Sequence, residues 1–194
     1  MITKNNITGI ILAGGKSSRM GSDKGFLLLN QKAFVQYSID ALSPLVSEII
    51  IVSDHSAYDT FGYKRVNDIT KNAGPVAGII SGLEATQTTY NIILSCDIPL
   101  INTKILSQLI TAATPNTSII QLESHGKSMP LIALYNKQVL PIFKEQLQNN
   151  ERRLRVVVNA CGYKTITLSG KDTVSTKNVN TQTEFKEVKD AYTR

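Results

Sequence analysis

The sequence predicts an α/β fold built on a mostly parallel sheet, and three observations predict it. Short apolar, β-rich runs alternate with segments of helical periodicity, the pattern of parallel strands joined by crossover helices. The runs at 7–13, 48–53 and 90–96 are predominantly apolar, as buried strands are. The 194-residue length, with 42% hydrophobic and 19% charged residues, suits one sizeable ordered α/β domain, taken as 1–194.

The elements follow in order. Ile7 to Ala13 reads as a first buried strand rather than a signal peptide, because a double glycine follows it instead of a small-residue cleavage site. Phe34 to Leu45 carries apolar residues at Val35, Ile39 and Leu42, a helical spacing, with Pro44 near its end. Glu48 to Ser53 is a second buried strand and Lys64 to Asn67 a short third one. Pro75 to Thr86 is helical, with proline in its first turn behind Gly74. Tyr90 to Cys96 is the strongest strand, and a helix follows from about Thr103 to Ala113. The C-terminal third is less regular. Ser118 to Leu122 and Leu131 to Tyr135 read as strands with antiparallel character, and Lys137 to Gln148 and Glu151 to Asn159 as helices. A Thr-x-x-Glu capping box at Thr181 and Glu184 opens a last helix that runs to Tyr192. The expected core is Ile10, Ile11, Leu42, Ile50, Ile51, Ile79, Ile92, Ile93 and Leu94.

Composition narrows the function classes. The net charge of +6 favours anionic partners, including phosphorylated small molecules. No dense Lys/Arg run and only 6% aromatics argue against a nucleic-acid partner. No stretch reaches the ~18 apolar residues of a membrane span. Cys96 and Cys161 stand far apart and suggest neither disulfide nor metal pairing, so the expected compartment is the cytoplasm. His55 and His125 sit in polar loop-like settings without a second ligand at metal spacing.

The loop after the first strand carries the most information. Leu12-Ala13-Gly14-Gly15-Lys16-Ser17-Ser18-Arg19-Met20-Gly21-Ser22-Asp23-Lys24 leaves the carboxyl end of a strand, where open α/β sheets bind ligands. Its glycines let the backbone approach a phosphate, and Lys16, Arg19 and Lys24 add three cations. A Walker A loop would need glycine at position 10, which is Ile10, and adjacent Gly14 and Gly15 break the dinucleotide pattern G-x-G-x-x-G.

What fits is L-A-G-G-x-S-x-R-M-G-x-D-K, through which the chain resembles the molybdenum cofactor guanylyltransferases. Asn67-Asp68, Gly74-Pro75-x-x-Gly78, Cys96-Asp97-Ile98-Pro99, Glu151-Arg152-Arg153 and Asn178-Val179-Asn180-Thr181 extend the resemblance in order along nearly the whole chain. The resemblance implies a Rossmann-like three-layer sandwich of the nucleotide-diphospho-sugar transferase type. It implies transfer of GMP from GTP to the terminal phosphate of molybdopterin or molybdenum-molybdopterin, with release of pyrophosphate. Gly14-Gly15 is the basis for GTP, since an Ala-Ala version accompanies the cytidylyl enzymes. Other molybdenum cofactor biosynthesis proteins are expected partners.

The same resemblance distributes the roles. Leu12, Ala13, Gly14, Gly15, Lys24, Asp68 and Asp97 would bind the nucleotide, with Asp68 accepting from guanine or ribose. Arg19 and Lys24 would clamp phosphates, and positioning and charge dominate such transfers. Asp97, at the end of the strongest strand, would hold Mg²⁺, which takes one or two carboxylates plus phosphate oxygens. Arg152, Arg153, Asn178 and Asn180 would hold the acceptor. Each has a plain alternative: a turn or cap for Asp97 and Asn180, a loop carboxylate for Asp68, a solvated helix face for the arginines.

The chain also departs from the family. Met129-Pro130-Leu131 stands where His-Pro-Thr is frequent, Ser53-Asp54 where an asparagine ends the second strand, and Gln182 where proline follows N-V-N-T. A cytidylyltransferase, a transferase for another phosphorylated acceptor, and a non-catalytic nucleotide-binding regulator remain the rival readings. Arg19, Lys24 and Asp97 together weigh against the last.

Overall fold

The computed structural model describes residues 2–14, 23–70 and 73–192. In chain order its elements are β1 (Ile7–Leu12), β2 (Leu28–Leu29), β3 (Lys32–Ala33), α1 (Phe34–Leu42), β4 (Glu48–Val52), β5 (Lys64–Val66), α2 (Pro75–Ala85) and β6 (Tyr90–Ser95). There follow α3 (Thr103–Thr111), β7 (Ile119–Ser124), β8 (Lys127–Asn136), α4 (Leu140–Gln148), α5 (Leu154–Cys161), β9 (Lys164–Thr167) and α6 (Gln182–Tyr192). One seven-stranded sheet runs in the order β5-β4-β1-β6-β8-β7-β9, and β2 and β3 form a separate hairpin.

β1 lies between β4 and β6, parallel to both, and β5 extends the parallel part. β8 pairs antiparallel with β6 and β7, the expected antiparallel portion, and β9 is parallel to β7. Successive strand residues face opposite sides of a sheet, so consecutive apolar positions feed two cores. Ile11, Ile51, Ile92 and Leu94 pack with Val35 and Leu42 of α1 and Ile105 and Leu109 of α3. Ile10, Val52 and Ile93 pack instead with Ile79 and Leu83 of α2, Phe143 of α4 and Val157 of α5. Helices on both faces make the three layers the sequence predicts. All nine expected core residues are fully buried. A third cluster, Leu29, Phe34, Tyr37, Val179 and Val188, seats the C-terminal segment on the β2–β3 hairpin and α1. No helix among the described residues is long and apolar enough to cross a membrane.

Several expectations need correction. The hairpin escaped notice because its strands have two residues each and its turn, Asn30-Gln31, lacks the usual glycine although both residues have positive φ. β9 is a mostly exposed edge strand whose polar sequence hides it. β8 begins at Lys127 rather than Leu131, because His125 and Gly126, both at positive φ, close a tight turn with β7. The helix expected from Glu151 begins only at Leu154: the Glu151 carboxylate accepts the Arg153 backbone N–H at 2.8 Å and holds residues 151–153 in a turn. Likewise residues 137–139 form a 3-10 turn before α4, with the Asn136 side chain capping it at Gln138 N. The capping box at Thr181 and Glu184 is present. Thr181 Oγ1 accepts from Glu184 N at 3.2 Å, and Glu184 reaches back to Asn180 N at 2.6 Å.

Leu42 is fully buried between α1 and β1. Leu42→Ala is expected to lower unfolding free energy by about 2–5 kcal/mol through lost burial and a residual cavity. Urea titration should show the midpoint falling with little change in slope.

Candidate active site

The chain leaves β1 for β4 and β5 on one side, then returns to β6 on the other. Connections diverge there, and the crevice outside the strand ends is the ordinary ligand position of such a sheet. A cleft of about 720 Å³ occupies it. Its walls are the end of β1 (Leu12, Ala13, Gly14), the end of β4 (Val52 to His55), Asp68 after β5, the first turn of α2 and Ser95 of β6. Backbone bonds beyond the strands fix this rim: Ala13 N to Val52 O at 3.0 Å, Cys96 N to Leu12 O at 3.2 Å, Ser53 N to Val66 O at 2.9 Å. Cys96 is a buried small apolar residue, as expected.

Four expected nucleotide residues, Leu12, Ala13, Gly14 and Asp68, thus line one cleft. Gly15, Lys16 and Arg19 lie outside the described residues. The Asp68 backbone N–H donates to Asp54 Oδ1 at 3.1 Å. Asp68 Oδ1 is buried and has no hydrogen-bond partner among the described residues. It lies against α2 so closely that a Cβ on Gly78 would come within 3.2 Å. Burial, and then the Asp54 charge, push its carboxyl up to about 6. Arg65 donates to Ser53 O at 2.9 Å and to Asn67 Oδ1 at 2.6 Å, tying the two rim loops together. His55 is exposed on the rim, and its Nδ1 accepts from Ala57 N at 3.2 Å.

Beside the cleft, residues far apart in sequence converge. Lys24 Nζ lies 2.5 Å from Asn180 Oδ1 and 3.4 Å from Asp97 Oδ2. Ser95 Oγ donates to Asp97 Oδ1 at 2.6 Å, and Val179 N donates to Asp97 O at 2.9 Å. Asp97 is therefore no helix cap; Asn102 caps α3 through its side chain. Nor does Asn180 cap α6, since its amide oxygen is taken by Lys24 and Thr181 does the capping. The bond from Asn180 N, first among several, lowers the Glu184 carboxyl. Asn178 Oδ1 is buried without a hydrogen-bond partner among the described residues.

Arg152 and Arg153 are exposed. Arg153 Nε donates to Glu151 Oε1 at 3.0 Å, and hydrogen bonds from Arg153 lower the Glu151 carboxyl to about 2. Among the described residues, no hydrogen bond or ion pair joins either arginine to Asn178 or Asn180. Arg155 donates to Ser128 O at 3.4 Å, which sets the start of α5 near the start of β8, on the cleft side of the sheet. Ser95 and Tyr58 are site neighbours that sequence reasoning missed. Ser95 stood two residues before Asp97, a usable signal; Tyr58, 34 residues after Lys24, gave none.

Residues 9–165 match the family model described as the MobA-like NTP transferase domain. The chain belongs to the MobA-like NTP transferase family. A probable molybdenum cofactor guanylyltransferase of Flavobacterium johnsoniae is 34% identical over 94% of this chain and 96% of its own. A molybdenum cofactor guanylyltransferase of Vibrio vulnificus is 35% identical, over 78% of this chain and 80% of its own. Molybdopterin-guanine dinucleotide biosynthesis protein A of Archaeoglobus fulgidus shares the fold at TM-score 0.82 and 17% identity, covering 96% and 98% of the two chains. A CMP:2-keto-3-deoxy-manno-octonic acid synthetase solved with CTP shares it at TM-score 0.75 and 15% identity, covering 97% and 99%. The MobA-like fold is thus the nucleotidyltransferase fold the sequence predicts.

Asp68 supplies a test of the cleft's electrostatics. With its carboxyl raised, the folded chain holds the proton more tightly than the unfolded chain does. Ionised Asp68 therefore costs stability above about pH 6, and the cost fades as pH falls through 6 toward the ordinary 3.8. Asp68→Asn is expected to raise Tm by about 2–4 °C at pH 7.5. The gain should vanish below about pH 4 in scans at both pH values; a lower Tm at pH 7.5 contradicts the assignment.

Proposed function

We propose that this protein transfers GMP from GTP to the terminal phosphate of molybdopterin or molybdenum-molybdopterin, releasing pyrophosphate and forming the guanine dinucleotide cofactor. The observation that carries the reading is the meeting of Lys24 and Asp97 at 3.4 Å beside a cleft walled by Leu12, Ala13, Gly14 and Asp68. The names of the relatives support the same substrates. We further propose cytoplasmic action within a single domain, with other molybdenum cofactor biosynthesis proteins supplying the pterin.

GTP would enter with its base toward Asp68. The Asp68 carboxylate, which lines the cleft, would accept from guanine N1–H and N2–H, a donor pair that cytosine and adenine do not offer there. Leu12 and Ala13 form the wall beneath it, and Gly14 and Gly15 let the phosphates approach the backbone. Lys24, held between Asp97 and Asn180, brings a positive charge to the α-phosphate, with Arg19 as a second phosphate clamp. Asp97 is the proposed Mg²⁺ ligand. Ser95 orients one of its oxygens, while the other has, among the described residues, the long Lys24 contact, a donor set that suits Mg²⁺ shared with substrate phosphates. Bound there, Mg²⁺ would neutralise charge building on the α-phosphate. The acceptor phosphate is already anionic, so attack needs no general base. Asn178, whose side-chain oxygen has no hydrogen-bond partner among the described residues, and Asn180, Arg152 and Arg153 would hold the pterin and its phosphate.

Pyrophosphate release should be measured with Mg²⁺, molybdopterin and GTP, CTP or ATP in parallel. Release is expected with GTP alone. Asp97→Ala and Lys24→Ala should each reduce it by about 10²-fold or more. Release with CTP but not GTP moves the protein to cytidylyl transfer. Tight GTP binding with no release under any condition overturns the enzyme reading. Asp68→Asn should narrow the preference for GTP over the other nucleotides by about tenfold or more in kcat/KM, because it takes away an acceptor matched to guanine.

A further inference from the structure

The connection between β4 and β5 contains a short 3-10 helix, Ser56–Phe61, and in it Tyr58 is completely buried. Its phenol nevertheless makes a specific bond, donating to Asp23 Oδ1 at 2.6 Å. The same oxygen accepts from Gly25 N at 3.0 Å. Asp23 thereby caps the turn Lys24–Phe26, and Phe26 N returns to Asp23 O at 3.1 Å. Phe26 rests on the Tyr58 ring with centroids 4.5 Å apart, and Phe61 packs beside both. The fit is tight enough to require glycine at 25, since a Cβ there would overlap the Tyr58 hydroxyl. Lys24 stands between the two residues so anchored.

We propose that Tyr58 is a positioning residue that fixes Lys24 through Asp23, setting where the ammonium meets the nucleotide phosphates. The proposal rests on the role given to Lys24 under guanylyl transfer. A lysine on a flexible four-carbon stem acts at a phosphate as a point charge, so its effect depends on where its backbone is held. Asn180 and Asp97 receive its tip; Tyr58 and Asp23 hold its root. Burial keeps the phenol protonated, so the donor persists across the working pH range. The same connection also presents Asp54, which holds the Asp68 backbone. The base side and the phosphate side of the cleft thus share one support.

Tyr58→Phe keeps the ring and removes only the donor, while Gly25 N still satisfies Asp23. Turnover per folded molecule is expected to fall about tenfold, since small misplacements of a charge-stabilising group are costly. KM for GTP should stay within about twofold. Amide hydrogen exchange across residues 24–27 should speed up while Tm stays close to that of the parent. In an Asp23→Ala background, Tyr58→Phe should cause no further loss, because the two act as one unit. Unchanged turnover in Tyr58→Phe, or an independent multiplicative loss in the double variant, overturns the proposal. If the parent protein releases no pyrophosphate, guanylyl transfer fails as a reading. Exchange at 24–27 then decides the anchor alone, and an unchanged rate in Tyr58→Phe rejects it.

Discussion

Everything in this protein is arranged around β1, a strand paired on both edges and covered on both faces. Such a strand can expose nothing along its length, so the only place it can offer chemistry is its end. The parallel pairing with β4 and β6 brings Leu12, Val52 and Ser95 to the same level, and each chain segment then leaves the sheet at that rim. A loop of glycines and cations after Leu12 follows from this constraint. The cleft at that rim is walled by Ala13 and Gly14 and by residues that arrive from other strands.

The charges at that rim are balanced by partners of unequal quality. The Asp97 carboxylate is bound by Ser95 on one oxygen and only loosely by Lys24 on the other. Asp68 is less well served, with a buried oxygen that no described group satisfies. Unfavourable placements of this kind are common where a ligand supplies the missing partner, and stability is given up for that readiness. Lys24 shows the opposite condition, gripped at its tip by Asn180 and at its root by the Asp23 cap. The C-terminal segment matters to the site for this reason. Val179 is buried in the third hydrophobic cluster and its N–H binds the Asp97 backbone, so Asn180 is delivered to Lys24 by the apolar packing of the C-terminal segment.

Legibility in the sequence followed the range of the interaction. The strands β1, β4 and β6 were plain because burial on both faces demands a continuous apolar run, and the nine core residues followed from the same rule. α2 was plain because proline sits at its start. The first loop could be read because its chemistry is local: Leu12 through Lys24 are consecutive, and Asp97 follows its strand directly. By contrast, β9 and the β2–β3 hairpin are stabilised by pairing at an edge or by two positive-φ residues, neither of which leaves an apolar pattern. α5 starts at Leu154 and not at Glu151 because Arg153 is its extended N-cap residue, held by the Glu151 side chain, and such a local bond leaves no periodic pattern.

The sequence by itself determined the layers, the parallel half of the sheet, the rim at which the cleft lies and the carboxylate and lysine that meet beside it. These depend on burial periodicity and on short spacings that a chain carries with it wherever it folds. Only the tertiary structure decided which partners those groups have. Asn180 turned toward Lys24 instead of capping its helix, Ser95 took one oxygen of Asp97, Arg153 bound Glu151, and Tyr58 reached back to Asp23. Such choices depend on which surfaces pack together and on the few tenths of an ångström that make or lose a hydrogen bond. Residues separated by 156 positions, as Lys24 and Asn180 are, carry no sign of one another until the fold closes.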